Sequence, residues 1–138
     1  MLSETPMHTS LPASDLARAR RFYVEVLGFA PANEDPHAIQ FRSGGTVFVV
    51  YQSGGSSPGT FSQAGWAVGD IRKEVDALRE RGVEFLEYDF PGLKTKDGIA
   101  EVEGSFHAWF KDTEGNLLGI EEWPDDNQWG KVARGLDS

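Results

Sequence analysis

Residues 11–29 read LPASDLARARRFYVEVLGF, and this stretch decides the fold. Asp15 is an N-cap, since its carboxylate can accept from the open amides of a first helical turn. Leu16, Ala19, Tyr23, Val26 and Leu27 recur at intervals of three and four and so share one helical face. Arg18, Arg20, Arg21 and Glu25 fall mostly on the other face. Gly28 provides the left-handed residue that ends a helix at little steric cost. Upstream, Met7 to Ala13 alternates as a strand does, with Thr9, Leu11 and Ala13 on one side and His8, Ser10 and Pro12 on the other. Pro12 lacks a ladder donor, which puts this strand at an edge or ends it early.

The pattern returns from Trp66 as WAVGDIRKEVDALRERGVEFLEY. Asp70 is the second cap, 55 residues after Asp15; Ile71, Val75 and Leu78 form the stripe, and Gly82 ends the helix. One offset that carries cap, stripe and stop together marks an internal repeat. Strands are expected at Phe29–Asn33 (interrupted by Pro31), Ala38–Arg42 and Thr46–Gln52, with turns over 33–36 and 43–45. In the second half they are expected at Phe61–Val68, Val83–Phe90, Ser105–Lys111 and Leu117–Trp123, with a turn over Asp112–Asn116. Residues 91–104, PGLKTKDGIAEVEG, read as too polar and glycine-rich for a core element, and as a lid or mobile loop. Strand, helix and further strands thus occur twice, and neither half closes a core alone. The expectation is one α+β domain over 1–138: a module at 7–53, a linker at 54–59, a second module at 60–123 and a tail at 124–138. The tail reads as disordered, although Trp129 offers a docking group.

The chain has 138 residues and no cysteine, which excludes disulfides and cysteine-bound metals. Its formal charge of −9 argues against nucleic-acid binding. No apolar run approaches the roughly 20 residues of a membrane span. The opening MLSETPMHTS shows no secretory pattern, so a cytoplasmic location is expected.

The string His8 to Phe29, with its D-L-x-x-A-x-x-F-Y-x-x-x-L-G-F core, resembles the vicinal-oxygen-chelate superfamily. That group includes glyoxalase I, extradiol dioxygenases and the bleomycin and fosfomycin resistance proteins. Val68-Gly69-Asp70, Arg81-Gly82-Val83 and the turn Phe110-Lys111-Asp112-Thr113-Glu114-Gly115-Asn116, similar to the family's F-x-D-P-D-G-N, support the resemblance over roughly residues 7–123. It implies two paired βαβββ modules forming a cupped sheet, usually in a homodimer. It also implies, for metal-dependent members, four ligand positions facing the cup. Here these fall at His8, Val49, Gln63 and Gly119. His8 is a competent ligand and Gln63 a marginal one; Val49 and Gly119 cannot bind a metal. A catalytic metal needs about three protein ligands, and the two-histidine, one-carboxylate set of an iron dioxygenase is missing. Glu121, which shares the strand face of Gly119, and His107 are the nearest substitutes.

Two functions follow from the resemblance. The first is a metal-independent binding protein that sequesters a bulky aromatic compound or antibiotic. Its ligand-binding residues would be His8, Tyr51, Gln63, Tyr88, Phe90, Leu93, Trp109 and Glu121, with Lys94 in a closing loop; aromatic faces suit a flat guest, and Glu121 favours a cationic one. The second is a glyoxalase-like lyase, isomerase or dioxygenase with Zn, Ni, Mn or Fe held by His8. Trp66 shares the parity of Val68 and reads as core, His37 as solvated. The spacings assemble no serine–histidine–acid set.

Overall fold

The computed structural model describes residues 1–136; the last two residues of the tail, 137 and 138, lie outside the described residues. The chain divides into two compact units, Met1–Pro58 with Asp112–Asn116, and Gly59–Lys111 with 117–138. No helix of the described residues is long and apolar enough to cross a membrane.

In the first unit β1 (Thr9–Ala13), β2 (Pro31–Asp35), β3 (Ala38–Ser43) and β4 (Thr46–Gln52) form a sheet in the order β1-β4-β3-β2, with β1 parallel to β4. Pro12 therefore lies on an edge strand. Ala32 has no cross-strand partner between the Pro31–Phe41 and Asn33–Gln40 pairs, which is a bulge beside a residue that cannot donate. Residues 33–35 continue β2, so the expected turn shortens to Pro36-His37, closed by the Asp35 carboxylate accepting from the His37 and Ala38 amides. The helix starts as expected. Asp15 accepts from the Arg18 amide at 3.0 Å, and α1 spans Leu16–Arg21. It then widens into a π-helical turn, Phe22–Val26, in which the Leu27 amide donates to the Phe22 carbonyl. Gly28 ends it at φ +82°. Tyr23 is fully buried, with ring centroids 5.6 Å from Phe41 and 5.7 Å from Phe48; Leu11, Ala13, Ala19, Ile39 and Val50 complete this core.

The Tyr23 hydroxyl reaches the turn at 112–116. It donates to Asp112 Oδ2 at 2.7 Å. The same carboxylate accepts from the Glu114 and Asn116 amides at 2.8 and 2.9 Å and from Asn116 Nδ2 at 2.7 Å. Asn116 Nδ2 also donates to the Pro12 carbonyl at 2.9 Å. Gly115 sits at φ +85°, and a Cβ there would meet the Ser57 carbonyl at 2.5 Å, so no other residue fits. The buried Glu114 carboxylate accepts from Arg18 Nε at 2.8 Å, from Thr113 Oγ1 at 2.8 Å and from the Asp15 amide at 3.0 Å. These bonds, Arg18 first, hold its pKa down to about 2.

The second unit repeats the plan. β5 (Ala64–Ala67) is followed by α2 (Ile71–Glu80), where Asp70 accepts from the Lys73 amide at 3.1 Å. Each helix also receives a cap from the end of its unit's last strand: Gln52 accepts from the Leu16 amide at 3.2 Å and Glu122 from the Ile71 amide at 2.8 Å. The strands β6 (Asp89–Phe90), β7 (Leu93–Lys96), β8 (Ile99–Val102), β9 (Ser105–Lys111) and β10 (Leu117–Glu122) complete a sheet in the order β5-β10-β9-β8-β7-β6. Two sequence expectations fail here. Over 83–90 only an isolated Phe85–Phe110 bridge and the short β6 form, because Val83 and Phe85 pack as side chains rather than in a ladder. Residues 91–104 are not a free loop: β7 and β8 pair with each other, and Thr95 and Ala100 are buried. Polar Thr95 is accommodated because its hydroxyl meets the Glu87 carboxylate and the Tyr88 amide, both at 2.7 Å. The tail carries a third helix, α3 (Gln128–Ala133), capped by Asn127.

Tyr23→Phe removes one donor from a buried carboxylate and should cost about 2 kcal/mol, read as a lower urea midpoint at unchanged slope. Glu114 titrates lower in the fold than its ordinary 4.5, so the stability it contributes is present above about pH 4.5 and is lost as pH falls toward about 2. Glu114→Gln should flatten that acid limb in a pH series of unfolding curves.

Candidate functional site

Alternation along β5, β9 and β10 gives the second sheet two unlike faces. Trp66, Ala108, Phe110, Leu118 and Ile120 turn one way, toward the core; Trp66 stacks on Phe110 with centroids 6.3 Å apart. Gly65, His107, Trp109, Gly119 and Glu121 turn the other way and, with Ser62 and Gln63, line an open cavity of about 330 Å³. The glycines keep its floor low. A Cβ on Gly119 would lie 3.6 Å from the indole of Trp109, its cross-strand partner, in ordinary van der Waals contact.

The wall is a run of rings. Trp109 stacks near-parallel with His107 at 6.0 Å, and Tyr88 meets Trp109 edge-on at 5.3 Å. Phe90, 58% exposed, lies 5.8 Å beyond Tyr88. On the other side Trp123 meets His107 edge-on at 5.5 Å, and Trp129 lies 6.2 Å past Trp123.

One end of the cavity is polar. The buried Ser105 hydroxyl donates to the Val102 carbonyl at 2.7 Å, and its oxygen lies 2.8 Å from His107 Nε2. A hydroxyl has one hydrogen, and here the carbonyl takes it. Nε2 must therefore carry a proton and donate to the serine oxygen. In the neutral ring this leaves a lone pair on Nδ1, which lies 3.9 Å from the Glu121 carboxylate. Burial pushes the His107 pKa below its ordinary 6.5, with Glu121 opposing. So the fold brings a serine, a histidine and an acid together, but in an order that does not activate the serine. The signal was present. Lys111 pairs with Leu117 across the turn, so His107, four residues back, must face Glu121, four residues on.

Of the residues proposed from sequence, Gln63, Trp109 and Glu121 line this cavity, and Tyr88 and Phe90 extend its ring wall. Leu93 pairs with Phe90 across β6 and β7. His8, exposed just before β1, and Tyr51, 38% exposed on β4, belong to the first unit. Ser105 and Trp123 were not singled out.

The four positions at which related chains hold a metal do not fit one here. Val49 and Gly119 have no donor, and the Gln63 side-chain oxygen accepts from the Leu117 amide at 3.1 Å. Among the described residues no group of three or more histidine, aspartate or glutamate side chains is placed to hold a metal ion.

The glyoxalase/bleomycin resistance protein/dioxygenase superfamily model matches residues 5–120, and the chain belongs to this family. No curated protein matches it. Solved structures share the fold. A glyoxalase/bleomycin resistance protein/dioxygenase from Alicyclobacillus acidocaldarius is 24% identical, with a TM-score of 0.66, covering 87% of this chain and 92% of its own. An antibiotic-binding protein of a Streptomyces species is 23% identical, with a TM-score of 0.59 and coverages of 85% and 93%. The fosfomycin resistance protein FosX of Listeria monocytogenes is 17% identical, with a TM-score of 0.64 and coverages of 88% and 94%.

An NMR titration of the His107 imidazole should give a midpoint below 6.5 with Nε2 protonated in the neutral ring. Glu121→Gln removes the one opposing charge and should lower that midpoint further.

Proposed function

We propose that the chain is a metal-independent small-molecule-binding protein that sequesters a flat aromatic compound, such as an antibiotic, in the cavity of the second sheet. The observation that carries this reading is the Trp109 indole lying over Gly119, with His107 stacked beside it at 6.0 Å. Two of the four ligand positions that the resemblance implies, Val49 and Gly119, carry no donor, and a ring rather than a charged group lies beside Gly119. A cavity of about 330 Å³ lies at the small end of the range for ligand sites and accepts a guest of two or three fused rings. Two fold neighbours, one described as antibiotic-binding and one as a fosfomycin resistance protein, are compatible with it. The reading includes the homodimer that the resemblance implies and a cytoplasmic setting, which a cysteine-free chain suits.

Titration of the purified protein with flat aromatic antibiotics should quench tryptophan fluorescence saturably, at one guest per chain and without turnover. Trp109→Ala should weaken that binding about tenfold or more, as expected for loss of one stacking platform. Protein purified without chelator should hold far less than one equivalent of divalent metal. A stoichiometric metal, or no saturable guest, would overturn the proposal.

A further inference from the structure

Two hydrogen-bond acceptors stand side by side at the polar end of the cavity. His107 Nδ1 and Glu121 Oε2 are 3.9 Å apart, and among the described residues no donor meets either atom. Their orientation is fixed from behind. Ser105, only 4% exposed, commits its hydrogen to Val102 and so compels His107 to donate through Nε2. The imidazole therefore meets the cavity with a lone pair rather than an N–H. Glu121 is held across from it by the β9–β10 register, in which the two residues are direct partners. Their side chains are 20% and 32% exposed, enough to be reached and little enough to strengthen a charge-assisted bond.

We propose that this pair recognises an amino or amidino nitrogen on the flat guest, one that is protonated or carries two N–H bonds. A nitrogen about 2.8 Å from each acceptor would see them at an angle of about 90°, within reach of two N–H bonds of one group. The guest's ring system would then lie against Trp109, which stacks near-parallel to the His107 ring from which the lone pair projects. Aromatics of the same shape without such a nitrogen gain nothing from the pair, and an anion is repelled by Glu121. The inference rests on the binding function proposed above and adds the chemical class of its guest.

Three tricyclic probes of one shape separate the two ideas: 9-aminoacridine, a cation at neutral pH, acridine, which is neutral, and acridine-9-carboxylate. Titrations monitored by probe fluorescence at pH 7.5 should show 9-aminoacridine binding about tenfold or more tighter than acridine, with the carboxylate weakest. Glu121→Gln should remove most of that preference, with a circular-dichroism spectrum and a urea midpoint like the parent's showing that the variant is folded. His107→Phe should keep the stacking and reduce the preference. Equal binding of all three probes, or a preference that survives both substitutions, overturns the inference and leaves the binding function standing. Failure of every probe to bind overturns both.

Discussion

A buried carboxylate must have its oxygens satisfied, and at Asp112 four donors do so: the Tyr23 hydroxyl, two turn amides and the Asn116 side chain. Two residues on, Glu114 is closed in the same way by Arg18, Thr113 and the Asp15 amide. The five residues 112–116 are in consequence counted with the first unit, although the strands on either side belong to the second. Much else depends on this knot. It anchors the start of the first helix through Asp15 and Arg18, and the first strand through Pro12. It also closes the β9–β10 hairpin at Lys111 and Leu117, and that closure fixes which side chains face each other farther along.

His107 and Glu121 become neighbours only because the hairpin is closed in this register. A slip of one residue would turn both to the opposite face. The cavity is thus a product of local rules, namely a turn of fixed length, strict alternation, and two glycines that leave room for a ring. Its polar chemistry is set by one further decision, made behind the wall. Val102 takes the serine proton, the serine takes the histidine's, and the imidazole is left an acceptor where the cavity begins.

The helices were legible because cap, stripe and stop act within a dozen residues, and both aspartates cap as their spacing implies. The strands Thr46–Gln52 and Ser105–Lys111 were legible from β-branched and aromatic content. The strands at 93–96 and 99–102 were not. Their buried residues are few, Thr95 is polar, and its acceptability depends on Glu87 and Tyr88, which only the folded chain brings near. The short helix at 128–133 was hidden in the same way: its glycine, Gly130, faces Trp123 so closely that a side chain there would clash, and the sequence shows a glycine but not what lies against it. Of the cavity-lining residues, Gln63 and Glu121 were singled out from strand parity with the ligand positions, and Trp109 as an aromatic preceding the turn. Ser105 was missed because its role is to orient another side chain, which no spacing in one strand reveals.

The indole beside Gly119 sets what the cavity floor can carry. A methyl group there would rest against the ring at 3.6 Å without strain, whereas every atom beyond it would have to share the open space with the indole. One hydrogen in place of a side chain thus hands that part of the floor to its cross-strand neighbour.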